Sequence, residues 1–242
     1  MHRFPCSFPK TALFVCLAIL MARMCFAAAP TPPDPPLVGT PPDQYEWTID
    51  VQQKQPRIPP PTDPKWLNSY KRALEIFPRL LRVKTEKSGK DLFEETLYEG
   101  GKIGVIYLYK DCVIFRRFDW PVDKALAFRA DSSTSPARGG LGREFPDVAW
   151  IRPEVFLGTV IHDGVRCHHY LDKNAPPLVG GDHLSQTKAN GVEAWIDEKS
   201  RLPVAVEDAA VVKKYSYRPF NGKVQPTGIF ATAYEESLIT TN

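Results

Sequence analysis

The stretch from residue 80 to 118 constrains this chain most. It divides into four β-strand-like runs, 80–87, 91–98, 102–109 and 112–118. Ser88-Gly89, Glu99-Gly100-Gly101 and Lys110-Asp111 separate them. Short runs rich in Val, Ile, Phe and Tyr, broken by Gly and Asp pairs, are the sequence form of an antiparallel meander. In the third run Ile103, Val105, Tyr107 and Tyr109 share one face, and Ile106 and Leu108 lie on the other. Apolar residues on both faces require that both be covered. What covers them is the question on which function turns.

Residues 1–27 have the form of a secretory signal peptide. Arg3 and Lys10 supply the basic start, residues 11–22 the apolar run, and Ala27, Ala28 and Ala29 the small residues. The apolar run is shorter than the ~20 residues that a membrane span needs. Cleavage near Ala27 predicts an exported, periplasmic or secreted protein; an uncleaved N-terminal anchor is the alternative. Removing the signal takes three basic residues and no acid, leaving 28 Lys+Arg against 28 Asp+Glu. A formally neutral chain lacks the clustered basic excess of a nucleic-acid binder. Cys6, Cys16 and Cys25 leave as well, so Cys112 and Cys167 remain. In an exported protein such a pair forms one disulfide or two separate buried thiols.

Residues 28–43 are a Pro-rich linker, and residues 44–242 are read as a single β-rich domain. Within it, residues 45–52 alternate, with Tyr45, Trp47, Ile49 and Val51 on one face. Asp63-Pro64 reads as a helix start. Trp66, Tyr70, Leu74 and Phe77 then fall on one helical stripe that Pro78 ends. This helix is expected to pack on the sheet or to act as a lid. Trp120-Pro121 breaks the sheet, residues 130–146 and 172–191 are long loops, and Trp150 belongs to a short helical turn. Asp163-Gly164 is the strongest hairpin signal, and a two-residue turn there pairs His162 with Val165 and Val160 with Cys167. Strands follow at 192–196, 203–207 and 211–217, and the tail from 219 reads as a strand or a short helix.

Three blocks give the chain a family resemblance. They are the 84–118 meander with Gly100-Gly101; Gly158-Thr159-Val160 through Asp163-Gly164-Val165 to Cys167-His168-His169-Tyr170; and Ala194-Trp195-Ile196-Asp197 closed by Leu202-Pro203-Val204. In that order they resemble the outer-membrane lipoprotein carrier superfamily (lipoprotein localisation factor-like) and its periplasmic relatives. The resemblance spans residues 80–212. It implies a mainly β, α+β fold: one curved antiparallel sheet or half-barrel with helices over its concave face. In the carriers that cavity accepts the acyl chains of lipoproteins. The strand ahead of the first helix, the two Pro-rich segments and the two long loops depart from that pattern, and no carrier cavity residue transfers.

Catalytic signatures are weak. His162, His168, His169 and His183, with Asp163 and Asp182, invite a metal, but ligands must converge on one point. Adjacent His168 and His169 point to opposite faces, and His162 and His169 are read as several rows apart. Cys167-His168 diverge as a nucleophilic pair. Glu94-Glu95 and Glu207-Asp208 diverge too, and read as solvated edge or rim charges. We therefore expect no enzyme, no cofactor and no metal site. The aromatic and apolar residues Trp66, Val105, Tyr107, Phe115, Trp150 and Trp195 are the ligand-pocket candidates; ordinary core is the alternative. The expected function is an exported binding protein that holds a lipid, acylated or other hydrophobic ligand. The alternative is a fully packed envelope structural protein with a protein partner. A monomer is expected, with no nucleic-acid partner.

Overall fold

The computed structural model describes residues 30–37, 42–57, 59–129, 145–179 and 191–239. The fold belongs to the compact unit Pro32–Asn242. The signal-peptide expectation, His183 and Asp182 lie outside the described residues.

Eleven strands form one antiparallel sheet. They are β1 (Tyr45–Gln53), β2 (Leu80–Ser88), β3 (Asp91–Tyr98), β4 (Lys102–Tyr109), β5 (Cys112–Arg116), β6 (Leu126–Arg129), β7 (Phe156–His162), β8 (Val165–Asp172), β9 (Val192–Asp197), β10 (Pro203–Glu207) and β11 (Val211–Pro219). Their order is β6-β5-β4-β3-β2-β1-β11-β10-β9-β8-β7. Sequence neighbours are therefore sheet neighbours, with two exceptions. The last strand pairs with the first, and β6 and β7 are the two edges. The sheet is curved and does not close into a barrel. Irregularities next to Leu81, Leu157 and Val204 contribute bends, as an extra unpaired residue does in a strand.

The opening meander is borne out strand by strand. Its first turn lies one residue later than read, because Ser88 pairs with Asp91. The Lys110-Asp111 and Asp163-Gly164 turns take positive φ at both central positions, as two-residue hairpins require. His162 pairs with Val165 and Val160 with Cys167, as the turn predicted. Trp120-Pro121 interrupts the sheet only locally: the chain returns as β6 and pairs with β5.

Among the described residues two helices flank the sheet, α1 (Pro64–Ile76) and α2 (Ile229–Ile239). Alternation gives the sheet an inner face, carrying Trp47, Ile49, Leu92, Leu108, Val206, Val211 and Tyr215, and an outer face. The main core lies on the inner face. Its cover is made of two short 3-10 turns, Pro146–Val148 and Pro153–Val155, and the loop carrying Leu178, rather than of the expected helices. Phe145 is the centre of this cover, with its ring 5.9 Å from Trp47 and 6.2 Å from Tyr215. The end of the Pro-rich linker docks as well. Leu37 packs on the core, and the Tyr170 hydroxyl donates to the Pro36 carbonyl.

At the β4–β6 end the outer face is covered by α2, which packs across β5 and β6. Its Phe230 ring lies 5.2 Å from Tyr107, and Val105, Ile114 and Ala233 are buried between them. The tail is therefore a helix, and the two-faced strand β4 has its second cover here. Helix α1 begins as the sequence indicates, with the Asp63 carboxylate accepting from the Lys65 amide at 3.0 Å and Pro64 in its first turn. It does not cover the core: none of its residues is buried, and Trp66 is 55% exposed.

Cys112 and Cys167 are free thiols, so the disulfide alternative gives way to two buried cysteines. They belong to β5 and β8, eight positions apart in the sheet order. At about 4.8 Å per strand that is about 38 Å along the sheet. A bond needs Cα atoms about 4.4–6.8 Å apart.

Candidate functional site

The inner face does not close completely. Between the sheet and its cover lies a cavity of about 430 Å³. Strand β1 contributes Trp47 and Ile49, β2 Leu80, Val83 and Thr85, and β3 Glu94, Thr96 and Tyr98. Lys213 and Tyr215 come from β11. The cover side is Phe145, Pro146, Asp147 and Trp150, with residues 176–179.

Each part of this wall has a local cause. The 3-10 turn at 146–148 is held by Trp150, whose indole N–H donates to the Asp147 carbonyl at 2.8 Å. The Asp147 side chain then reaches the sheet. Lys213 Nζ donates to its Oδ1 at 2.6 Å, and the Tyr215 hydroxyl donates to its Oδ2 at 2.9 Å. Both ion-pair partners are buried. The second cover segment is pinned by Asp208, which accepts from the Leu178 amide at 2.9 Å. The other Asp208 oxygen accepts from the Ala210 and Val211 amides.

The cavity is therefore mainly apolar, with an acidic patch in its wall. Glu94 belongs to that patch. Its carboxyl faces the cavity, where water can reach it, but it lies deep below the molecular surface. Burial is the main cause that pushes its pKa up to about 7; the Asp147 carboxylate adds to the shift and Lys213 opposes it. No hydrogen bond or ion pair from a described residue reaches the Glu94 side chain. Directly across the β2–β3 ladder is Thr85. Thr85 is 1% exposed, and its hydroxyl has no hydrogen-bond partner among the described residues. An unpaired buried polar group in a native structure calls for a partner. Burial also raises the Tyr215 phenol well above its ordinary range, aided by the Asp147 charge, so Tyr215 stays a donor.

The six sequence candidates are dispersed. Trp150 lines the cavity. Phe115 packs against the main core and lines a smaller neighbouring cleft of about 220 Å³, with Tyr98 and Phe118. Val105 and Tyr107 lie under α2 on the outer face, and Trp66 projects from α1. Trp195 lies on the outer face between His162 and His169, whose rings stack on it at 4.2 and 5.1 Å. His162 and His169 share a face several rows apart, as the sequence indicates, and both reach the one indole between them. Among the described residues no group of three or more His, Cys, Asp or Glu is arranged to hold a metal.

Glu94 and Glu95 diverge as expected, but Glu94 faces the cavity rather than bulk water. Lys213, Tyr215, Asp147 and Thr85 escaped the sequence reading. For Lys213, as for the inward position of Glu94, a signal existed. Glu94 is in phase with Leu92 and Thr96, and Lys213 with Val211 and Tyr215. A charge in the inward phase of an alternating strand marks a polar group in the interior.

The outer face, by contrast, satisfies its charges. Burial opposes ionisation of Glu46, but the hydrogen bond from Arg218 and the charges of Lys84 and Arg218 hold its carboxyl below the usual range. Arg218 grips both Glu46 oxygens, at 2.6 and 2.8 Å.

No protein-family profile matches the chain, and neither does any curated protein. Solved structures similar in shape include the Mycobacterium tuberculosis lipoprotein LppX, at 10% identity and a TM-score of 0.35, over 90% of this chain and 99% of that one. A DUF1329 family protein from Desulfovibrio piger has 11% identity and a TM-score of 0.28, over 90% of this chain and 96% of that one. Similarity this weak says nothing about a ligand. Among the described residues, no helix is long and apolar enough to cross a membrane.

Proposed function

We propose that this chain is an exported binding protein, acting without catalysis, that holds an apolar chain in the inner-face cavity. The observation that carries the reading is the cavity. Its volume of about 430 Å³ lies within the range of about 300–1,000 Å³ typical of small-molecule sites. Burying the ligand's apolar surface supplies the affinity, at about 25 cal/mol per Å² removed from water. Polar groups confined to one patch suit an amphiphile, with the chain among Trp47, Ile49, Val83 and Trp150 and the head at the acidic patch.

The test uses delipidated protein and a neutral apolar fluorophore such as phenylnaphthylamine. Saturable fluorescence enhancement is expected, and Val83→Phe, which pushes a larger ring into the cavity, should weaken it while the protein still melts cooperatively. Overpacking of this kind costs about 1–3 kcal/mol. Absence of probe binding, together with no lipid in the native mass spectrum of protein from its own envelope, would overturn the proposal.

A further inference from the structure

We infer that the cavity selects amphiphiles whose head donates a hydrogen bond and carries no negative charge, with Glu94 as the acceptor and Thr85 across from it. This rests on the cavity being a ligand site, and it specifies the ligand's head.

Two independent features support it. The first is the charge inventory of the wall. Glu94, Asp147 and Lys213 are its ionisable acids and base, and Asp147 and Lys213 neutralise each other at 2.6 Å. Tyr215 adds a donor already spent on Asp147, and Thr96 and Tyr98 add hydroxyls that carry no charge to receive an anion. Glu94 is left as the uncompensated group. An ionised Glu94 repels an anionic head, and no cation in the wall is available to receive one. An N–H or O–H head gives the Glu94 carboxylate the partner it lacks, and charge-assisted hydrogen bonds of this kind are the strong ones.

The second feature is the orphaned hydroxyl of Thr85. It belongs to a different strand and pairs in register with Glu94. Two polar side chains with no partner among the described residues therefore lie side by side in a mainly apolar wall. A head that both donates and accepts, such as an alcohol or an amide, meets both. An ammonium meets Glu94 by charge.

The inference separates this cavity from one built for free fatty acids. Such a site needs an uncompensated Lys or Arg or a set of free amide donors. Here the one lysine in the wall is held by Asp147.

The experiment is displacement of phenylnaphthylamine from the full chain by three ligands of one chain length: dodecanol, dodecylamine and dodecanoate. It is run at about pH 8, where Glu94, the amine and the fatty acid are all charged. Dodecanol and dodecylamine are expected to displace the probe at least ~10-fold more tightly than dodecanoate. A further preference for the amine over the alcohol identifies a cationic head, and parity identifies a neutral donor. Glu94→Gln is expected to bring dodecanoate to within about 3-fold of dodecanol, less than the tenfold that 1.4 kcal/mol represents. Thr85→Val is the second variant. It removes a hydroxyl without a partner, so it should fold at least as well as wild type, and it should weaken dodecanol but not the neutral probe. Equal displacement by all three ligands would overturn the inference and leave the binding function standing. No binding of the probe or of any ligand would overturn both.

Discussion

The Asp147–Lys213 pair gives the most direct quantitative test, because it joins the cover to the sheet. Replacing Lys213 with Met keeps most of the side chain's length and removes its charge. Asp147 is then a carboxylate with 8% side-chain exposure and one remaining donor, the Tyr215 hydroxyl. Breaking a buried pair by removing one partner costs about 3–5 kcal/mol. At about 2–4 °C per kcal/mol for a domain of this size, the melting temperature should fall by about 6–20 °C. The double variant Asp147→Asn/Lys213→Met removes both charges and keeps an oxygen to accept from Tyr215. It should lie within about 1–2 kcal/mol of wild type, because an intact buried pair contributes little net stability over neutral residues of similar size. Urea unfolding of wild type, both single variants and the double variant closes the cycle, with an unchanged m-value as the check on comparability. A Lys213→Met cost below about 1 kcal/mol would refute the reasoning, and so would a double variant whose loss equals the sum of the single losses.

Three further outcomes follow from named groups. Below about pH 4.5 the Glu94 carboxyl is neutral in both the folded and the unfolded chain; as pH rises towards 7 the unfolded chain ionises first, so folding weakens by about 3 kcal/mol. Glu94→Gln should remove that slope and be the more stable protein at about pH 8, and parallel pH profiles of the urea midpoint would sink the assignment. Gly191 has φ +103°, and an added Cβ would lie 2.9 Å from the Asp172 carbonyl oxygen, so Gly191→Ala should cost at least about 1–3 kcal/mol in thermal unfolding; a neutral result would show that this backbone approach is not required. Cys112 and Cys167 are free and buried, and desolvation pushes Cys167 up to about 11, so reductant should leave the melting temperature unchanged and thiol reagents should label these two only after denaturation.

Much of the sheet was legible because strand signals are local. Alternation in β1, the turn pairs of the meander and Asp163-Gly164 each act over a few residues, and each produced the element it indicated. The cap of α1 is local too, and it formed as read. The stripe of Trp66, Tyr70, Leu74 and Phe77 was equally readable as a pattern, but its meaning was not. Amphipathicity shows that a helix has an apolar face; it does not show what meets that face. The tail from residue 219 had no clear period, yet its helix covers Tyr107 and Ile114, because two-sided β4 left an outer face to bury.

By itself, the sequence determined every strand but β6, most of their turns, the register of the β7–β8 hairpin and the two apolar faces of β4. These depend on backbone preference and on neighbours within a few residues. Only the tertiary structure decided that β11 closes against β1, across more than 150 residues of chain. The same holds for the cover at residues 145–151 and for the cavity beneath it. Asp147 meets Lys213 at a separation of 66 residues, and Thr85 meets Glu94 only because their strands pair in that register. An inward charge on a strand is visible in the sequence. Whether it is paired, solvated or left waiting for a ligand depends on what packs against it, and that is set by long-range contacts.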